Sequence, residues 1–342
     1  SALIIGGAIT LFLGLHAVGG LGNFLEVNAD KLHMILPRDH PVLPWTALVI
    51  GLWIPNFYYW GLNQYICQRT LAAKNLRQGQ LGVIFAAGLK LIIPFIIIFP
   101  GIMAYQLYTQ ELTAPGVTTD AAYPLLIRNL IPVGIRGLIF AAIAGAVISS
   151  LASMLNSAST IFTMDLFKRR WKRDASEKTL ILTGRIMTML FVVIGCLIAP
   201  ALDHPSLQGI FTYIQEFQGF ISPGILAAFA FGLIFKRAPE SAGVWALILN
   251  PIVYAVLLIF FGNLPLFNNL GITIGSIAFL NRMAITFIII IAVMAFLSIR
   301  KPLKDPKVMP VREDFDMKPT PSVLWLGLSV IAITIVLYII FW

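Results

Sequence analysis

The chain has 342 residues, of which 58% are hydrophobic and only 11% charged, and its long apolar runs exceed what a soluble domain of this size can hide. Its net charge of +9 comes from Lys and Arg that fall between the apolar runs, so the cations set membrane topology and nucleic-acid binding is excluded. Cys67 and Cys196 are two separated residues in or beside apolar segments, which excludes a disulfide framework or a metal-ligand cluster and leaves them as packing residues.

Windows long enough to cross about 30 Å of hydrocarbon predict about nine helices. They run over 2–19, 45–66, 81–105, 137–164, 179–200, 209–235, 244–261, 283–299 and 323–341. Ser1 leads straight into Ala2-Leu3-Ile4-Ile5 with no initiator methionine or basic flank, which predicts further helices upstream. Arg69, Lys74 and Arg77 follow the second window, Lys168 to Arg173 the fourth, Lys236 and Arg237 the sixth, and Arg300, Lys301, Lys304 and Lys307 the eighth. Every second connection is therefore basic, which starts the first span inside and ends Trp342 outside. Of the longer external connections, 106–136 contains a predicted surface helix over 121–130, read either as a lid or as a segment resting on headgroups. The internal stretch 300–321, rich in Pro and mixed charge, reads as a linker.

Polar groups at membrane depth carry the chemistry. In the second window Pro55 withholds an amide and frees the carbonyl of Gly51, and Asn56, Tyr59 and Asn63 follow among Trp53, Tyr58 and Trp60. An amide beside a broken helix, walled by rings, suits a sugar or an amino acid. Lys90 falls near mid-membrane, where a charge costs about 2.5–3.5 kcal/mol, and Pro94 frees its carbonyl; this favours a cavity-facing role. The sixth window opens with Gln215, Glu216 and Gln218, then Gly219, Ser222, Pro223 and Gly224, a polar and breakable start. Arg185 and Arg282 sit near window ends and are expected to snorkel, while Asn250-Pro251 reads as a kink with no polar partner.

In the fourth window Ala146, Ser149, Ser150, Ser153 and Ser157 follow helical spacing and form one small, oxygen-bearing stripe. Small and hydroxyl residues serve close helix packing in lipid. Adjacent Ser149 and Ser150 deep in a span also suit an alkali cation, since neutral oxygens bind a monovalent ion modestly whereas Ca²⁺ sites need several charged ligands. No nucleophile, base and oxyanion donors cluster, and His16, His33, His40 and His204 are scattered, so an enzyme is not expected.

The run Trp53-Ile54-Pro55-Asn56-Phe57-Tyr58-Tyr59-Trp60-Gly61-Leu62-Asn63-Gln64-Tyr65-Ile66-Cys67-Gln68-Arg69, with Leu71-Ala72-Ala73-Lys74-Asn75, Ala144 to Thr160 and Tyr213-Ile214-Gln215, resembles the sodium:solute symporter family, in its sodium/glucose cotransporter branch. The resemblance covers essentially the whole chain. It implies an all-α transmembrane protein with part of a leucine-transporter-type inverted-repeat fold: the last helix of the first repeat and an external loop over 1–40, the second repeat over 41–235, and three peripheral helices over 236–342. It further implies Na⁺ as the coupled ion, held by the carbonyl of Ala146 and the hydroxyls of Ser149 and Ser150. Asn56, Lys90 and Gln215 would bind a monosaccharide that Tyr59 covers from the inner side, in a multi-pass protein of the bacterial inner membrane. Inositol, sialic acid, proline or a role as ligand sensor are the alternatives within the same likeness.

Overall fold

The computed structural model describes residues 2–200, 210–262, 271–308 and 320–342. Among them regular structure is helical, with two isolated bridges, Leu36 to Pro44 and Gly262 to Ser276. In chain order the helices are α1 (Ala2–Ala17), α2 (Leu21–Val27), α3 (Trp53–Phe57), α4 (Gln64–Leu71), α5 (Leu76–Lys90), α6 (Phe99–Leu107), α7 (Ala122–Leu130), α8 (Val133–Ile161), α9 (Glu177–Ile198), α10 (Ile210–Gly219), α11 (Ser222–Ile234), α12 (Glu240–Phe261), α13 (Phe279–Arg300) and α14 (Pro321–Ile340). A single turn at Thr109–Leu112, short 3-10 turns and π-helical stretches lie between some of them.

Six helical runs among the described residues are long and apolar enough to cross a bilayer: Leu76–Leu107, Val133–Trp171, Glu177–Ile198, Glu240–Phe261, Phe279–Arg300 and Pro321–Ile340. Two bent pairs also qualify, α1 with α2 at 77° and Tyr213–Gly219 with α11 at 42°. These account for eight of the expected windows. The remaining one, 45–66, is helical but broken: π-helical at Ala47–Gly51, α-helical in α3, π-helical again at Tyr58–Leu62, and extended at Asn63 (ψ 122°) before α4. The fourth is longer than expected, because α8 continues as a π-helix over Phe162–Trp171 and carries the basic residues Lys168, Arg169 and Arg170 in its last turns. The connection 201–209 with His204, residues 263–270 and residues 309–319 of the expected linker lie outside the described residues.

The chain divides into two compact units. One comprises Ser1–Leu32, Leu81–Ile210 and Ser322–Ile335, the other His33–Gln80, Phe211–Pro321 and Val336–Trp342.

In the first unit α1 buries a face of Gly6, Gly7, Thr10 and Gly14. A Cβ on Gly6 would lie 3.0 Å from Ile139 Cγ1, one on Gly7 3.1 Å from Ile96 Cβ, and one on Gly14 would press on the sulfur of Met103. Missing side chains let three neighbours approach one helix, the usual route to close packing in lipid. After α1 the chain turns through Gly19 and Gly20, whose φ values of 88° and 96° are in the left-handed region that favours glycine. The expected external helix is present as α7 and packs against α1 and α6, with Leu126 fully buried. Burial pushes the Tyr123 phenol above its usual range, and a hydrogen bond with Thr10 partly offsets this.

In the second unit α11, α12 and α13 pack on one another around Ala227, Phe231, Ala242, Ala246, Ile290 and Met294. The broken second span joins them: Ile54 packs with Leu226 and Ala284, and Ala47 with Tyr254, Phe279, Leu280 and Met283. Gly51 lies so close to the Leu280 carbonyl that no larger residue fits.

Candidate functional site

In the second unit the break around Pro55 has the local form its sequence dictates. Proline has no amide for the Gly51 carbonyl, and the turn that leads up to it, Ala47–Gly51, is π-helical, with the Leu52 amide donating to the Ala47 carbonyl at 2.8 Å. Asn56 is exposed, and its Nδ2 donates to the Leu52 carbonyl at 2.8 Å, one turn back. That bond uses one Nδ2 hydrogen and leaves the Oδ1 acceptor and the second Nδ2 hydrogen for other partners. Tyr59 is half-buried; its hydroxyl is hydrogen-bonded to that of Tyr65, and its ring meets Trp60 edge-on with centroids 5.0 Å apart. The stretch Tyr58–Leu62 and α3 both pack on α11. Gln215, half-buried on α10, belongs to the same unit.

The break between α10 and α11 is built by long-range partners. Asn250 of α12 is 1% exposed. Its Oδ1 accepts from the Gly224 amide at 3.0 Å and its Nδ2 donates to the Gly219 carbonyl at 3.4 Å, satisfying backbone groups on both sides of the break. The expected partnerless kink at Asn250-Pro251 is thus corrected: the amide side chain substitutes for helical bonds that its neighbour has lost. Arg282 also departs from expectation. Instead of snorkelling it is 2% exposed and pairs with Glu216 Oε1, while its Nη1 donates to the carbonyls of Phe261, at 3.1 Å, and Ile277. Glu216 Oε2 accepts from the Tyr254 hydroxyl at 2.7 Å. A guanidinium inside an apolar bundle is stable only with this degree of pairing.

The first unit contains the remaining candidates. Lys90 is exposed at the end of α5, where the chain passes through a turn into the π-helical stretch Pro94–Ile98. Ala146 is half-buried on α8 and Ser149 and Ser150 are exposed. Ser153, lower on the stripe, donates to the Ser149 carbonyl at 3.1 Å, and Ser157 is buried. Below it Ser159 and Thr160 both donate to the carbonyl of Asn156. Asn156, Ser159 and Thr160, with Thr163, Arg185 and Thr188, line part of a cavity of 720 Å³ between α9 and the run formed by α8 and its π-helical continuation. Sequence reading missed this cavity, although Thr163, Arg185 and Thr188 continue the polar spacing on two successive spans. Cys67 donates to the Gly61 carbonyl at 3.1 Å and Cys196 is exposed.

A sodium:solute symporter family model matches residues 1–250 of the chain. The sodium/glucose cotransporter of Vibrio parahaemolyticus is 36% identical over 99% of this chain and 64% of its own length. The human sodium/myo-inositol cotransporter 2 is 38% identical over 71% of this chain and 40% of its own length. The chain therefore spans less than two thirds of these relatives. Among solved structures, a Na⁺-coupled sialic acid symporter in a substrate-bound outward-open state matches with a TM-score of 0.69 and 23% identity, over 89% of this chain and 61% of that one. That likeness establishes the fold as all-α, transmembrane and of the leucine-transporter type, present here in part. With a family model covering most of its length and 99% of its residues aligned to a relative at 36% identity, the chain belongs to the sodium:solute symporter family.

Proposed function

We propose that the protein is a sodium-driven symporter that imports a monosaccharide of galactose or glucose type by alternating access across a bacterial inner membrane. The observation that carries this reading is the 36% identity, over 99% of the chain, to a sodium/glucose cotransporter. In this reading the second repeat lies within 41–235. The Ala146 carbonyl and the Ser149 and Ser150 hydroxyls give Na⁺ neutral oxygen ligands, and Asn56, Lys90 and Gln215 hydrogen-bond sugar hydroxyls while Tyr59 closes the inner side. Asn56 Oδ1 accepts, the Lys90 ammonium donates, and the Gln215 amide does both, a set matched to an uncharged polyol. Sodium favours the conformer in which the site is formed, and bound sugar favours its closure.

The energetics suffice. One charge crossing about 100 mV supplies about 2.3 kcal/mol, and a tenfold sodium gradient adds about 1.4 kcal/mol. Together they concentrate a neutral solute several hundred-fold. The test is uptake of labelled galactose into proteoliposomes containing the protein at its full coding length, with a sodium gradient or an equal potassium gradient. Uptake that depends on sodium is expected; equal uptake in potassium removes the proposal.

A second cargo is favoured by the match to an inositol cotransporter and the structural likeness to a sialic acid symporter. Competition for galactose uptake by inositol, sialic acid and proline ranks the solutes. Gln215→Ala should weaken a polyol far more than proline, which presents no hydroxyl to that amide.

A further inference from the structure

One side of α10 is pinned at three points. Glu216, Gly219 and Phe220 follow the i, i+3, i+4 spacing and share a face of the helix and its last turn. Glu216 accepts from the Tyr254 hydroxyl at 2.7 Å and from Arg282. The Gly219 carbonyl accepts from Asn250, and its Cα rests on the Tyr254 ring so closely that any Cβ would overlap it. The Phe220 ring meets Tyr254 at 5.0 Å and 71°. Tyr254 is fully buried, and all the partners come from α12 and α13. Gln215 precedes Glu216 by one residue, about 100° around the helix. A helix pinned along one face has one azimuth and one depth, so the Gln215 side chain leaves the helix at one point and in one direction.

We infer that Tyr254, Asn250 and Arg282 are positioning residues for solute recognition: by fixing the rotation of α10 they set where the Gln215 amide meets the solute, without touching the solute. The inference rests on the proposed role of Gln215. Helices α12 and α13 then tune affinity from outside the site, through an ion pair and an aromatic contact.

A double-mutant cycle on KM tests this. Tyr254→Phe keeps the ring and deletes one hydrogen bond to Glu216. Initial rates of sodium-driven galactose uptake into proteoliposomes are measured for Tyr254→Phe, Gln215→Ala and the double variant. Gln215→Ala is expected to raise KM on the order of tenfold or more, and Tyr254→Phe about three- to tenfold, with the maximal rate and sodium half-saturation each within about twofold. The double variant is expected to match Gln215→Ala alone, because a displaced amide that has already been removed has no further effect. A purely structural role would lower the maximal rate with the amount of folded protein and leave KM unchanged. Unchanged KM in Tyr254→Phe, or effects that multiply in the double variant, overturns the inference while leaving the sugar assignment in place. Unchanged KM in Gln215→Ala overturns the role of Gln215 and the inference with it. Should Tyr254→Phe fail to accumulate, Phe220→Leu loosens the same face without disturbing the ion pair, and the same pattern is required of it.

Discussion

The guanidinium of Arg282 lies against the carboxylate of Glu216 across 66 positions of sequence, joining the start of α13 to the first half of a broken helix pair. The side chains are 3% and 24% exposed, so neither charge can turn freely to water. Removing one partner strands the other.

Arg282→Met is accordingly expected to destabilise the protein by about 3–5 kcal/mol, because Glu216 and the carbonyls of Phe261 and Ile277 all lose a donor. Replacing both charges, Glu216→Leu with Arg282→Met, should recover most of the loss, since apolar groups of similar volume often serve a buried site as well as an ion pair. Thermal unfolding in detergent, followed by the loss of helical circular dichroism, reads both variants. A double variant less stable than Arg282→Met would show that the pair itself is not the source of the loss.

The contact between α11 and α12 depends on a glycine. A Cβ on Gly224 would lie 2.6 Å from Asn250 Cβ and 2.8 Å from the Ala246 carbonyl, and a carbonyl cannot swing aside. Gly224→Ala should cost about 1–3 kcal/mol. Gly232→Ala on the same helix meets nothing within 4 Å and should be neutral or gain up to about 1 kcal/mol from helix propensity. Comparison of their unfolding midpoints is the check, and equal midpoints would refute the packing argument.

Ser149 and Ser150 are exposed on α8, so truncating them removes little packing. If the hydroxyls hold Na⁺ as proposed, Ser149→Ala and Ser150→Ala should each raise the sodium concentration for half-maximal uptake on the order of tenfold, with unfolding free energies within about 0.5 kcal/mol of the parent. An unchanged sodium dependence in both would assign the hydroxyls to helix packing alone.

Lys90→Gln retains a donor and removes the charge. If the ammonium reads a sugar hydroxyl, KM for the sugar should rise several-fold while sodium half-saturation stays within about twofold. Isothermal titration of sugar and sodium separately distinguishes the two dependences.

The spans were legible because their cause is local. Apolar length sets a crossing, and Pro55, Pro94 and the Gly219 to Gly224 stretch each disrupt the ladder within a turn of themselves. The second span shows the limit of this: its break at Pro55 is legible, but the two π-helical stretches and the extended Asn63 that divide it further are not. Partners of polar groups were not legible. Asn250 and the Gly224 amide it receives stand 26 residues apart, and nothing near Asn250 points to Gly224. The same holds for Arg282, whose position at a window end suggested water when its partner was a carboxylate in another helix. For the candidate ligands, sequence supplied donor chemistry and the structure places Asn56, Tyr59 and Gln215 in one unit and Lys90, Ala146, Ser149 and Ser150 in the other.

The helical run Val133–Trp171 has 39 residues, which at 1.5 Å per residue is about 58 Å, nearly double the thickness of bilayer hydrocarbon. Tilting cannot absorb that excess, and its final turns bear three cations that resist entry into oil. The rod therefore protrudes into the aqueous phase whatever the membrane. Sensitivity to lipid chain length passes instead to short spans such as α14, whose 20 residues, about 30 Å, match the hydrocarbon with nothing to spare.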